Sequence, residues 1–257
     1  MSLDFSLNGK VAIVTGGGKG IGRGIAVAYA RCGADVVVCG RHPETLEDAQ
    51  RQVQALGRKA VAIPADVGKV ADIKRVVAQT LDVFGVIDIL VNNAGVNRTG
   101  PTLEVTEETW EWILNTNLKG TFFFCQEVGR HMVERRKGKI INIGSIMGDW
   151  GLGFNVPYCS SKGGMNLLTK ALALEWAPFG IHVNEIGPGY IRTDQVNWSL
   201  QDPQLGPRIH AKMPMRVGEV EDVEGAAVFL ASDASNYISG RTLYVDGAQA
   251  VGWMGPE

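Results

Sequence analysis

Several absences narrow this sequence before any motif is read. No uninterrupted apolar run approaches the roughly 20 residues that cross a bilayer, so no membrane span and no membrane partner are expected. The opening residues, MSLDFSLNGK, carry neither the basic nor the apolar region of a secretory leader, which points to the cytoplasm. No one sign of charge dominates: 25 Lys and Arg stand against 27 Asp and Glu, a formal net charge of −2. That balance offers no electrostatic footprint for nucleic acid. Cysteine is sparse, at four residues: Cys32, Cys39, Cys125 and Cys159. None forms a CxxC pair or stands at ligand spacing from the four histidines, so no metal is expected. Cys159 has no histidine nearby in sequence to activate it as a nucleophile. Linkers, low-complexity runs and repeats are also missing. At 257 residues, 45% hydrophobic and 20% charged, the chain reads as a single domain over 1–257.

What is present is an alternation. KVAIVTG (10–16) is a strand that hardly alternates in polarity, as expected of one buried on both faces. Further strands are read at 35–40, 59–67, 87–95, 138–145, 181–189 and 242–247. Between them lie helical patterns at 21–33, 43–57, 70–84, 106–136 (with a break in the middle), 157–178 and 220–231. Strand followed by helix from end to end predicts an α/β fold, a doubly wound parallel sheet with helices on both faces. Residues 190–217, with Pro203, Pro207 and Pro214, read as a long irregular segment suited to a lid over substrate.

The first strand runs into TGGGKGIG (15–22), and a helix follows. Glycines let the backbone turn sharply and approach a pyrophosphate, while a helix N-terminus presents unpaired N–H groups. Gly16, Gly18, Lys19, Gly20 and Ile21 are therefore candidate cofactor residues. The spacing matches neither the GxGxxG fingerprint nor the P-loop. The second strand lacks, at its end, the acid that usually holds the adenosine ribose; Gly40 and Arg41 stand there instead. With no carboxylate to repel it, a 2′-phosphate fits between Arg41 and Lys19, a contact of roughly 1.5–3 kcal/mol, or ten- to a hundredfold in affinity. NADP(H) is thus expected over NAD(H), which stays possible. Asp66 and Val67 after the third strand face the adenine, and NNAG (92–95) offers Asn93, Ala94 and Gly95 for a tight turn beside the cofactor.

SIMGDWGLGFNVPYCSSK (145–162) brings Ser145 to the carboxyl end of the fifth strand, with Tyr158 and Lys162 four apart on one helix face. A free phenol titrates near 10, too high for neutral acid–base work, and a nearby ammonium is expected to lower it. Ser145 would hold a substrate oxygen against the phenol. This is a proton-transfer site for an alcohol/ketone pair, hydride being the cofactor's share.

TGGGKGIG, NNAG, NTNLKG, Ser145 with YCSSK, and GPGYIRT together resemble the short-chain dehydrogenase/reductase family, from Leu7 to about Ala250. The resemblance implies a Rossmann-type sheet, catalytic Ser145, Tyr158 and Lys162, and Asn117 completing a proton relay. It also implies that Lys162 binds the nicotinamide ribose and that Pro188, Gly189, Ile191 and Thr193 hold the nicotinamide carboxamide and pyrophosphate. A homotetramer is implied, with the helices at 106–136 and 157–178 across one interface. GKIINIGS, YCSSKGG and EIGPGYIRTD look most like the branch of gluconate 5-dehydrogenase and related sugar-acid or polyol dehydrogenases. A small-molecule substrate of that class is expected, with 3-oxoacyl-acyl-carrier-protein reduction as the alternative and a silent NADP-binding regulator as a third reading. Arg98 is placed to pair with a substrate carboxylate. Met147, Asp149, Trp150, Asn155, Tyr190 and Trp198 are further candidates for the pocket wall.

Overall fold

β-Branched runs with apolar residues on both sides of the pleat must be covered on both faces, and here they are. The computed structural model describes residues 4–251; the ends of the expected domain, 1–3 and 252–257, lie outside the described residues. The strands are β1 Val11–Thr15, β2 Asp35–Gly40, β3 Ala60–Pro64, β4 Ile89–Asn92, β5 Gly138–Ile143, β6 Ile181–Pro188 and β7 Thr242–Val245. They form one seven-stranded sheet in the order β3-β2-β1-β4-β5-β6-β7, every pairing parallel.

Alternate residues of β1 explain its unbroken polarity. Ala12 and Val14 enter one core with Ile25, Tyr29, Val223 and Leu230, while Ile13 enters the other with Val76, Phe124 and Met132. The first layer is built by α1 (Gly20–Arg31), α2 (Pro43–Ala55) and α9 (Val220–Ala231). Its buried Tyr29 hydroxyl donates to the Ala227 carbonyl at 3.1 Å, tying α1 to α9. The second layer is α3 (Val70–Phe84), α5 (Gly120–Arg135) and α6 (Val156–Trp176). Chain order reverses between β1 and β4, which opens a crevice at the carboxyl ends of the strands.

The break expected within 106–136 is a widened π-helical turn, Asn115–Lys119, between α4 (Glu107–Leu114) and α5. Such turns shift the side chains that follow them and cluster at functional sites. The segment 190–217 is not the irregular stretch expected: it contains α7 (Asp194–Gln201) and α8 (Leu205–His210). Pro207 lies in the first turn of α8, where a missing N–H costs no helical hydrogen bond. The fourth strand is also shorter than its sequence suggests, because Asn93 leaves the ladder to serve the glycine turn.

Candidate active site

The turn after β1 depends on absent side chains. Gly16 has φ +62°, and a Cβ there would stand 3.0 Å from the Ala94 Cα. At Gly22 a Cβ would collide with the Asn93 amide and the Gly16 carbonyl, and at Gly18 it would strike Thr45. Asn93 fastens the turn to β4: its Nδ2 donates to the carbonyls of Thr15 (2.9 Å) and Gly16 (3.2 Å). In return, the Thr15 hydroxyl accepts from the backbone N–H of Asn93 (2.9 Å) and of Ala94 (3.0 Å). No side chain caps α1, so its first N–H groups remain available to an anion.

Two cavities sharing Gly16, Lys19, Ala94 and Gly95 make one groove along the strand ends. The inner cavity is lined by Gly20, Ile21 and Asn93 and by Pro188, Gly189, Ile191 and Thr193. Ser145, Tyr158 and Lys162 line the same cavity. The outer cavity is lined by Gly18, Arg41, Asp66 and Val67. The fold therefore gathers every cofactor residue predicted from sequence around a single groove. Neither Arg41 nor Lys19 takes part in an ion pair among the described residues. The sequence reading missed Gln195 and Val196 of α7, which also line the inner cavity; the amphipathic run after GPGYIRT is the signal that could have found them. It also missed Thr45, which lines the outer cavity.

Ser145 is buried at the end of β5, and its hydroxyl accepts from the Met147 N–H at 3.1 Å. Lys162, also buried, donates from Nζ to the Ile143 carbonyl at 2.7 Å. That ammonium lies 5.6 Å from the centre of the Tyr158 ring. The balance at the phenol differs from the sequence expectation: burial pushes Tyr158 up to about 12, and only the Ser145 hydrogen bond opposes it. Burial also pushes Lys162 down to about 8, opposed by the charge of Glu185.

Asn117 sits in the π turn, fully buried, and lines neither cavity. Its Nδ2 donates to the hydroxyl of Ser161 (3.0 Å), which donates in turn to the Tyr158 carbonyl (2.7 Å). The helix carrying the phenol is thus tied to the helix carrying the amide.

The candidates for the substrate wall are scattered by comparison, and Arg98, Met147, Trp150, Asn155 and Tyr190 line neither cavity. Arg98 stacks 5.5 Å over Trp112 and donates to the Thr109 hydroxyl. Asn155 accepts from the Asn97 amide (2.8 Å) and the Thr99 hydroxyl (3.2 Å), pinning two loops together. Tyr190 lines a separate cavity with Met215 and Asp246. Met147 is half-buried beside Ser145, while Trp150 and Trp198 are exposed. Asp149 is engaged by the Tyr244 hydroxyl and by the Asn166 amide.

A family profile described as short chain dehydrogenase matches residues 10–204. Gluconate 5-dehydrogenase of Gluconobacter oxydans is 40% identical over 249 residues, covering 96% of this chain and 97% of the relative. The 2-dehydro-3-deoxy-D-gluconate 5-dehydrogenase of Bacillus subtilis is 43% identical over 252 residues, covering 97% and 96%. A crystal structure of a gluconate 5-dehydrogenase from Burkholderia cenocepacia, in complex with NADP and tartrate, is 36% identical with a TM-score of 0.94, covering 98% of this chain and 100% of that one. The chain belongs to the short chain dehydrogenase family.

Proposed function

We propose that this protein is an NADP(H)-linked oxidoreductase that interconverts a secondary alcohol and a ketone on a sugar acid of the gluconate type. The observation that carries the reading is the convergence of Ser145, Tyr158 and Lys162 on the cavity that the glycine turn also lines. The groove suits a dinucleotide because the glycine turn packs where Cβ atoms at Gly16, Gly18 and Gly22 would collide with Asn93, Thr45 and the turn itself, and because the start of α1 is uncapped. Gly16 through Ile21 would hold the pyrophosphate, Arg41 and Lys19 the 2′-phosphate, and Asp66 and Val67 the adenine. Asn93 to Gly95, with Pro188, Gly189, Ile191 and Thr193, would hold the nicotinamide half. When bound, NADPH supplies the hydride.

The chain's own residues supply the proton and the orientation. Ser145 accepts from the Met147 N–H through a lone pair, which leaves its own O–H to donate to the substrate oxygen. Tyr158 gives its proton to that oxygen in reduction and takes it back in oxidation. A phenol at about 12 is poor at this, so the ammonium of Lys162 must favour the phenolate as the step proceeds. Asn117 ties the π turn to the loop at Val96.

The gluconate assignment draws on the curated relatives, two sugar-acid dehydrogenases that this chain matches over nearly their whole lengths. NADPH oxidation followed at 340 nm with 5-ketogluconate and with an acetoacetyl thioester separates the readings. Turnover of the keto acid alone is expected. Turnover of the thioester alone indicates a 3-oxoacyl-carrier-protein reductase, and turnover of neither a silent binding protein.

A homotetramer forms part of the same proposal. Phe122 of α5 and Leu167 and Leu174 of α6 are exposed on the two helices expected at an interface, and light scattering should return four times the chain mass. A cytoplasmic location is also proposed, consistent with four unpaired cysteines.

A further inference from the structure

One buried titratable group has no part in the chemistry described so far. Glu185 lies on β6, beside Asn142 of β5 in register, and is fully buried. Its Oε1 has no hydrogen-bond partner, and its Oε2 accepts only from the Thr169 hydroxyl at 3.4 Å. An uncompensated carboxylate in a protein interior is costly, and such groups are paired or neutralised.

The location of the carboxylate supplies the missing partner. It packs against Gly144, where any Cβ would collide with Oε1. The peptide that joins Gly144 to Ile143 is the one whose carbonyl receives the Lys162 ammonium at 2.7 Å. Ammonium and carboxylate therefore flank a single peptide at the end of β5, and the glycine is what admits the carboxylate. The other charged and titratable groups that face Glu185 are Lys170 on α6, Asp149 after β5 and Tyr244 on β7. Asp149 is held by Tyr244 and Asn166, and Lys170 is exposed. Lys162 is the one buried cation of the set.

We propose that Glu185 is a positioning residue for the proton-transfer step, the buried counter-charge that keeps Lys162 an ammonium. The inference rests on the reading of Ser145, Tyr158 and Lys162 as a proton-transfer device. Its physical logic is that burial disfavours charge at both groups, and each restores the other. Burial lifts Glu185 to about 7 and lowers Lys162 to about 8, each against the opposing charge. Without the carboxylate, Lys162 loses its proton at lower pH, and Tyr158 then lacks the cation that favours its phenolate.

Glu185→Gln tests this with the isosteric neutral side chain, and Glu185→Met serves as a second variant of similar length without polar atoms. Two profiles against pH are recorded for each. In the first, kcat/KM should lose activity on the alkaline side about 1–2 pH units earlier than in the wild type. A uniform loss at every pH, with the limb unmoved, would mean that Glu185 merely packs, and would overturn the proposal. The second profile is the thermal midpoint of the protein without substrate or cofactor. The folded carboxyl titrates above its unfolded value, so the contribution of Glu185 to wild-type stability should fall as pH rises from about 4.5 to about 7. Both variants should lack that component, so their midpoint falls less, or rises more, with pH than that of the wild type; a pH dependence identical to the wild type would equally overturn the assignment. The midpoint needs no turnover, so a wrong substrate class would silence the first profile and leave the second intact.

Discussion

The side-chain amide of Asn117 occupies both hydrogen-bonding groups of the Val96 backbone. Val96 N–H donates to Oδ1 at 2.8 Å, and Nδ2 donates to the Val96 carbonyl at 2.9 Å. One buried side chain thereby imitates a strand neighbour for the loop that leaves β4. Asn117→Ala strands both groups, a loss of about 1–3 kcal/mol. In a chain of this size that corresponds to a fall of roughly 2–10 °C in thermal midpoint. Calorimetry checks the fold effect, and turnover below the midpoint should fall far more than the folded fraction does.

Gly16→Ala should bind NADPH at least about tenfold more weakly. A non-glycine residue in the left-handed region costs about 1–3 kcal/mol, and the new Cβ would press on Ala94 and on the Asn93 amide. Fluorescence titration of bound NADPH measures the loss. Unchanged affinity would mean that the dinucleotide does not use this turn.

Arg41→Ala should weaken NADPH by about ten- to a hundredfold and leave NADH nearly unchanged. Arg41 lines the outer cavity beside Lys19. Equal losses for both cofactors would remove the 2′-phosphate from this position.

Much of the fold was legible because burial on both faces writes itself as unbroken apolar runs. VAIVT and DVVVC are such runs, and both become central strands. The glycine turn was legible because Gly16 and Gly22 stand where no other side chain fits. α7 and α8 were not legible. They are short, with three prolines in or around them, and Pro207 looks like a breaker although it lies in a first turn. The substrate wall was illegible for a different reason: sequence gives position without side-chain direction. Arg98 follows the strand carrying NNAG, yet its guanidinium turns to Trp112. Glu185 was passed over inside a strand motif, because nothing in EIGPG says that its carboxylate ends against Gly144.

The most direct measurement compares the wild type with Tyr158→Phe in one experiment, following NADPH oxidation by 5-ketogluconate alongside NADPH affinity. The phenol oxygen is the only atom removed, and the ring can still pack. Turnover should fall by at least about a hundredfold, the low end of what a positioned acid contributes, while affinity stays within about threefold, a difference of less than about 0.7 kcal/mol. Retained turnover in the Phe variant would contradict the account.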